Sequence, residues 1–174
     1  LIAIDLDDDK LAFARRFGAT HTVNAAREDP VAAVRALTVH ADRWDFAGQP
    51  VAGADFAFDC IGAPVTMQQI ALAARSGAFG REPGGCAVLV GVPTTSPAFD
   101  YGQLLMSEKR YIGSIGGSCQ PDRDFPMFLG WHAEGQLDLE QLVTARYRLD
   151  DINEAVDDLH HGRIAGRAIL DLRD

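Results

Sequence analysis

Asp5 stands at the carboxyl end of a short apolar run, Leu1 to Asp5, whose pattern predicts a buried strand leading into a helix. Ligands of doubly wound sheets bind outside the carboxyl ends of such strands. A carboxylate there can accept hydrogen bonds from both hydroxyls of a ribose, and it repels a 2′-phosphate. Asp5 therefore indicates a site for NAD rather than NADP, while its structural alternative is a helix N-cap or a plain strand-end residue.

Lys10 follows in the first turn of the predicted helix, where its ammonium can reach the same ribose or the adenine edge. The chain has one other lysine, Lys109, and otherwise uses arginine. The ammonium of lysine is slender and sits on a flexible stem, whereas the guanidinium of arginine is planar. The use of lysine at this position therefore favours a specific role for Lys10. The alternative is a solvated helix lysine.

Glycines lie at the ends of two neighbouring predicted strands, in Cys60-Ile61-Gly62 and in Val90-Gly91-Val92. Glycine at a strand end lets a flat ligand approach the backbone, although ordinary turns use it as well. The segment 113–117 (Gly-Ser-Ile-Gly-Gly) offers main-chain groups that can fix a carboxamide, and its alternative is a hinge or bulge. Arg167 precedes a final apolar run and can pair with a pyrophosphate, or with a surface acid.

Strands and helices alternate along the chain, which predicts an α/β fold with a doubly wound parallel sheet. Asp29 and Pro30 predict a helix start, the pair Asp151 and Glu154 resembles a capping box, and two stretches, 40–53 and 76–85, are expected to be loops. The predicted strands are 1–5, 20–24, 54–61, 86–92, 110–115 and 167–172. The predicted helices are 10–17, 31–37, 65–74, 101–106, 124–133 and one from 151 to Gly162.

The composition is that of a globular domain: 47% of the 174 residues are hydrophobic and 24% are charged. The net charge of −9 argues against a nucleic-acid-binding face, and no apolar run approaches the ~20 residues of a membrane span. Three scattered cysteines and the lack of a signal-peptide pattern favour the cytoplasm. The five histidines show no metal-ligand spacing, so neither catalytic nor metal-binding residues are expected in this segment.

Taken together and in order, five segments resemble the zinc-dependent alcohol dehydrogenases of the medium-chain dehydrogenase/reductase family. The second strand, its helix and the next corner of that family are similar to IAIDLDDDKLAFARRFGATHTVN, and its fourth strand to ADFAFDCIG. Its fifth and sixth strands are similar to CAVLVGVP and RYIGSIGGS, and its C-terminal helix and strand to RLDDINEAVDDLHHGRIAGRAIL. Each segment alone is a weak signal, and five in register are a strong one.

The resemblance implies a role for each candidate residue in binding NAD. Asp5 and Lys10 would hold the adenosine ribose, and Arg167 would contact the pyrophosphate. Cys60 and Ile61 are assigned to the adenine-to-ribose path, and Val90, Ser114 and Gly116 to the nicotinamide carboxamide. Gly62, Gly91 and Val92 are assigned to the coenzyme site as a whole, and Val92 and Ile115 also border the substrate pocket. The implied parent is a homodimer or homotetramer with strand 110–115 near the subunit boundary, and it acts on small alcohols or aldehydes, with a lean toward long, aromatic or thiol-conjugated alcohols.

The family's zinc-binding catalytic domain, first strand and glycine-rich turn are not in this sequence; an acid like Asp5 should follow that turn by ~20 residues. We therefore expect the C-terminal half of a longer enzyme: a truncated NAD-binding domain over 1–118, and helices and a strand over 119–174 that return to the catalytic domain. The first strand is central in the order 3-2-1-4-5-6. Without it, unsatisfied backbone groups at roughly 1–3 kcal/mol each would approach the ~5–15 kcal/mol stability of a domain. The segment alone is predicted to be unstable unless the missing part or another chain completes the sheet. It is predicted to be inactive because the zinc and the proton relay of the family are absent from it.

Three alternatives remain open. A zinc-free quinone or enone reductase of the same superfamily is disfavoured by the sequence Leu6-Asp7-Asp8-Asp9, because such enzymes often prefer NADPH and place basic residues at this point, after the family's second strand. A methyltransferase also uses an acid at a strand end, to hold the ribose of S-adenosylmethionine. A non-catalytic nucleotide-binding module is the third.

Overall fold

A computed structural model describes residues 1–173 and shows an α/β chain, as the alternation of strands and helices predicts. Its strands are β1 (Ile2–Asp5), β2 (His21–Asn24), β3 (His40–Trp44), β4 (Pro50–Val51), β5 (Phe56–Asp59), β6 (Cys86–Leu89), β7 (Arg110–Gly113), β8 (Val143–Arg148) and β9 (Arg167–Asp171). Its helices are α1 (Asp8–Arg16), α2 (Pro30–Leu37), α3 (Pro64–Ala73), α4 (Tyr101–Ser107), α5 (Pro121–Ala133) and α6 (Ile152–His160).

The chain divides into two compact units. The first contains residues 1 and 3–22 and continues from residue 120 onward, and the second contains residue 2 and residues 23–119. The second unit holds most of the buried apolar side chains, including Val34, Val51 and Met67. In the first unit, β8 and β9 pair in parallel.

The second unit is built around a three-stranded parallel sheet in the order β5-β6-β7. The last row of the register joins Asp59, Leu89 and Gly113, so the three strands end side by side. One sheet face meets α3, where the Tyr111 hydroxyl donates to the carbonyl of Met67 at 3.1 Å. The predicted parallel sheet is thereby confirmed.

Aspartates begin several helices by accepting free backbone N–H groups. Asp29 Oδ1 accepts from the amides of Val31 and Ala32, at 2.8 and 3.0 Å, as its position before Pro30 predicts. Asp7 caps α1 by accepting from the amide of Asp9 at 2.7 Å. These bonds satisfy amides that have no partner within the helix.

The expected capping box at the start of α6 is wrong. Asp151 occupies the N-cap position but makes no capping hydrogen bond with its side chain. A 3₁₀ turn over Leu149–Asp151 precedes the helix and gives Asp151 a φ of −92° and a ψ of 15°, which is not the extended backbone that a capping side chain needs.

The expected loop over 40–53 is also wrong, because β3 and β4 form an antiparallel hairpin there. Its turn is held by Asp45, whose Oδ1 accepts from the amides of Ala47 and Gln49 at 3.0 and 2.9 Å. The polar strand His40–Trp44 lacks a buried-strand pattern, so backbone pairing rather than hydrophobic periodicity defines it. Strand β8 was not among the predicted strands either.

Among residues 1–173, β1 pairs with β2, and β5 pairs with β6 but has no strand at its other edge. Phe56 and Phe58 on β5 are 59% and 60% exposed, and their rings stack with centroids 6.4 Å apart. Among the described residues, the two pairs thus belong to separate sheets and β5 is an edge strand.

Candidate functional site

The carboxyl ends of β5, β6 and β7 carry most of the predicted site residues. Cys60, Val90 and Ser114 each follow the last paired residue of their strand, so the register places them along one edge. The predicted strands 86–92 and 110–115 end earlier, at Leu89 and Gly113, and the residues beyond turn into loops. In an open α/β sheet this edge is where ligands bind.

Two of these loops pack backbone against backbone through Gly62 and Gly91. A Cβ added to Gly91 would lie 2.3 Å from the nitrogen of Gly62, and one added to Gly62 would lie 2.5 Å from the carbonyl oxygen of Val92. Gly62 also has a φ of +82°, which other residues rarely adopt. The glycines are therefore needed for the loops to contact each other.

Apolar side chains project into solvent from all three loops. Ile61, Val92 and Ile115 are 66%, 82% and 97% exposed. Isolated exposed apolar residues are common, but three at one edge of a sheet offer a surface that a flat, partly apolar ligand can cover.

Main-chain groups that the family resemblance assigns to the nicotinamide carboxamide are already partly used in hydrogen bonds. The amides of Val90 and Ser114 donate to Asp59 O and Leu89 O, at 2.8 and 2.9 Å. These two amides are therefore not available to a carboxamide, and a main-chain contact from these residues would use their carbonyl oxygens. Gly116 begins a left-handed run with a φ of 55° in the turn that follows β7.

Asp59 is a functional candidate that the sequence reasoning missed. Its side chain is buried, and its carboxylate accepts hydrogen bonds from the amides of Ile61 and Gly62 and from the Thr66 hydroxyl, at 2.8, 3.0 and 3.0 Å. The detectable signal was an aspartate at a strand end followed by a glycine-containing turn, which is typical of an Asx-turn.

Asp59 also affects a neighbouring tyrosine. Burial raises the pKa of the Tyr111 hydroxyl above its usual value, and the negative charge of Asp59 raises it further. Both effects extend toward higher pH the range in which the Tyr111 hydroxyl is protonated and donates to Met67 of α3.

The remaining predicted residues, Asp5, Lys10 and Arg167, belong to the first unit. Asp5 Oδ1 accepts from the amides of Leu6 and Asp7, at 2.7 and 3.1 Å, and its second oxygen accepts no hydrogen bond from residues 1–173. Because Asp7 caps α1, Asp5 is not the N-cap, and its half-buried carboxylate keeps one oxygen for a ligand.

Lys10 extends toward the turn after α6. Its Nζ lies 3.3 Å from the position of a Cβ built on Gly162. Arg167 is exposed at the start of β9, where its guanidinium donates to the carbonyl of Gly166 at 3.3 Å.

No group of three or more histidine, cysteine, aspartate or glutamate side chains in residues 1–173 is arranged to hold a metal ion. The three cysteines are free thiols. Nor does the described part of the chain contain a helix long and apolar enough to cross a membrane.

Parallel strands joined through helices, with loops that meet through glycines at their carboxyl ends, define a dinucleotide-binding type of α/β fold. The family model for zinc-binding dehydrogenases matches residues 1–134, and the chain belongs to this family.

Comparisons with individual proteins agree with this assignment. The chain is 28% identical over 172 residues to the S-(hydroxymethyl)glutathione dehydrogenase of Paracoccus denitrificans, covering 98% of the chain and 43% of that protein. It is 27% identical over 163 residues to the class-3 alcohol dehydrogenase of Cereibacter sphaeroides, covering 93% of the chain and 41% of that protein.

Among solved structures, the benzyl alcohol dehydrogenase of Acinetobacter calcoaceticus superimposes with a TM-score of 0.80 at 29% identity, covering 99% of the chain and 42% of that protein. A zinc-binding-domain alcohol dehydrogenase from Burkholderia ambifaria gives the same values. The chain thus spans less than half the length of the proteins it matches.

Proposed function

We propose that this chain is the NAD-binding part of a zinc-dependent alcohol dehydrogenase whose complete polypeptide transfers a hydride between an alcohol and NAD. The observation that carries the proposal is the shared edge of β5, β6 and β7, where the loops holding Gly62 and Gly91 pack together. Membership of the zinc-binding dehydrogenase family supports it.

The residues present fit NAD chemically. Asp5 has one carboxylate oxygen that can accept from a ribose hydroxyl, and Ile61 offers the apolar contact that the family resemblance assigns to the adenine-to-ribose path. The aspartates that follow Asp5 repel an additional phosphate on that ribose, which favours NAD over NADP. When bound, NAD supplies the hydride acceptor for oxidation of an alcohol.

Zinc does not fit the described residues, because they contain no suitable cluster of ligands. As part of the proposal, we assign zinc ligation and catalysis to residues outside this sequence. The domain assignment belongs to the proposal too: a truncated NAD-binding domain over 1–118, and a segment over 119–174 that returns to the catalytic domain. The 174 residues alone are then expected to be inactive.

For the substrate, we propose a small alcohol or the corresponding aldehyde, with a lean toward aromatic or thiol-conjugated alcohols. The names of the Paracoccus and Acinetobacter relatives support this lean. We further propose a cytoplasmic homodimer or homotetramer, and the free thiols are in keeping with a reducing compartment.

The test is a steady-state assay of the complete polypeptide with NAD+ or NADP+ and a panel of alcohols that includes benzyl alcohol and S-(hydroxymethyl)glutathione. We expect formation of reduced NAD to depend on the alcohol and to stop when a chelator removes zinc. Formation of reduced NAD at the same rate with and without an alcohol would contradict the proposal. Turnover of quinones with NADPH, and of no alcohol with NAD+, would contradict it as well.

A further inference from the structure

Asp59 ties together two loops of the candidate coenzyme site. Its side chain accepts hydrogen bonds from the amides of Ile61 and Gly62, which fixes the loop after β5. Its carbonyl oxygen accepts hydrogen bonds from the amides of Val90 and Gly91, both at 2.8 Å, which fixes the start of the loop after β6. One residue therefore holds the backbone of both loops.

The Asp59 carboxylate lies away from solvent, with only 2% of the residue exposed. Its second oxygen accepts the Thr66 hydroxyl of α3, so the loop is also anchored to a helix. A charged acceptor strengthens such hydrogen bonds, and removing it would leave the two amides without their partner.

We propose that Asp59 is a positioning residue for the coenzyme, which it orders without touching it. This inference rests on the proposed function, because it assigns to the ordered loops the task of receiving NAD. If the loops sample other conformations, the apparent dissociation constant rises by the inverse of the fraction that is competent to bind. Bound coenzyme restores the ordered state, so the loss appears in the KM for NAD+ and not in kcat.

The kinetic test compares three variants of the complete polypeptide. Asp59→Ala should raise the KM for NAD+ roughly tenfold, the size expected for losing a hydrogen bond to a charged group, with kcat at saturating NAD+ unchanged. Asp59→Asn should restore a KM near the wild-type value, because its oxygen can accept both amides. Its amide nitrogen can then donate to Thr66, whose hydroxyl already contacts the carbonyl of Ala63 at 3.0 Å.

Asp124→Ala is the matched control. Asp124 is also buried, at 5% exposure, and its carboxylate accepts the amide of Gln120 at 2.7 Å, at the start of α5 in the first unit. Loss of Asp124 should lower thermal stability and leave the KM for NAD+ unchanged. An unchanged KM in Asp59→Ala, or an equal rise in Asp124→Ala, would overturn the proposal.

Amide hydrogen exchange without coenzyme tests the ordering of the loop directly. The amides of Ile61 and Gly62 should be protected in the wild type and should exchange at least about tenfold faster in Asp59→Ala. If Asp59→Ala does not fold, Thr66→Val removes one donor only and should give a smaller acceleration of the same amides. If these amides exchange at the same rate in the variant and in the wild type, the positioning role is overturned. If their exchange changes as expected but the wild-type enzyme binds no NAD+, the proposed function is overturned instead.

Discussion

Replacing Gly62 by alanine should damage the candidate site more than the same change at other glycines with a positive φ. Gly62 has a φ of +82°, and an added Cβ would lie 2.5 Å from the carbonyl oxygen of Val92. The left-handed backbone costs a non-glycine residue about 1–2 kcal/mol. Forcing apart two packed backbones adds about 1–3 kcal/mol, so we expect a loss of about 2–5 kcal/mol in the free energy of unfolding.

Two further glycines separate these contributions. Gly80 has a φ of +72° with nothing within 4 Å of an added Cβ, so Gly80→Ala should show the backbone cost alone. Gly91 has no positive φ, but its Cβ would lie 2.3 Å from the nitrogen of Gly62, so Gly91→Ala should show the overlap alone.

The assay is equilibrium urea denaturation of the complete polypeptide, combined with calorimetric titration of NAD+. Gly62→Ala and Gly91→Ala should both weaken NAD+ binding, and Gly80→Ala should leave it unchanged. Equal stability losses at Gly62 and Gly80, together with normal NAD+ binding in Gly62→Ala, would refute the reasoning.

Three further predictions concern other parts of the chain. Asp5→Arg should shift the ratio of kcat/KM values from NAD toward NADP, because it replaces a charge that repels the 2′-phosphate with one that attracts it; an unchanged ratio removes Asp5 from its role. Burial lowers the pKa of Lys109 from 10.5 to about 8, although its ammonium donates to Ala71 O at 2.9 Å. Between these values the unfolded chain binds more protons than the folded chain, so this lysine makes stability rise with pH from about 8 to 10.5, and Lys109→Met should remove that rise from urea denaturation curves. Arg43→Ala breaks a partly exposed ion pair with Glu82 and should lower stability by less than about 1 kcal/mol in the same assay; a larger loss would show that the pair holds the hairpin.

The sequence predicted those elements whose signals are local. Asp29 followed by Pro30 fixes the start of α2, because both the side-chain acceptor and the ring act within one turn. The left-handed Gly18 and Gly162 follow α1 and α6, as their positions predicted. The apolar run that begins at Cys86 predicted β6 because a central strand of a parallel sheet is buried on both faces.

Elements that depend on a distant partner were harder to predict. The hairpin over 40–51 is polar and depends on pairing across the Asp45 turn. Strand β8 alternates apolar and polar residues over Val143–Arg148, yet its partner β9 begins only at Arg167, so no local turn marks the pair.

The candidate site was predicted from the same kind of local pattern. Glycines at strand ends indicated the loops after β5 and β6, and the structure brings Gly62 and Gly91 together. The importance of Asp59 could not be ranked from the sequence, because its burial and its carbonyl bonds to the next loop depend on the register of two strands.

The most direct test of the account is calorimetric titration of the complete polypeptide with NAD+, NADP+ and S-adenosylmethionine, repeated for the variant Val92→Arg. Val92 is 82% exposed, so an arginine at this position should leave folding intact. Its side chain should occupy part of the proposed coenzyme site at the carboxyl ends of β5, β6 and β7. We predict saturable binding of NAD+ that is tighter than that of NADP+, no binding of S-adenosylmethionine, and at least about tenfold weaker binding of NAD+ to the variant. Binding of S-adenosylmethionine in preference to NAD+, or NAD+ affinity that Val92→Arg leaves unchanged, would contradict a coenzyme site at the carboxyl ends of β5, β6 and β7.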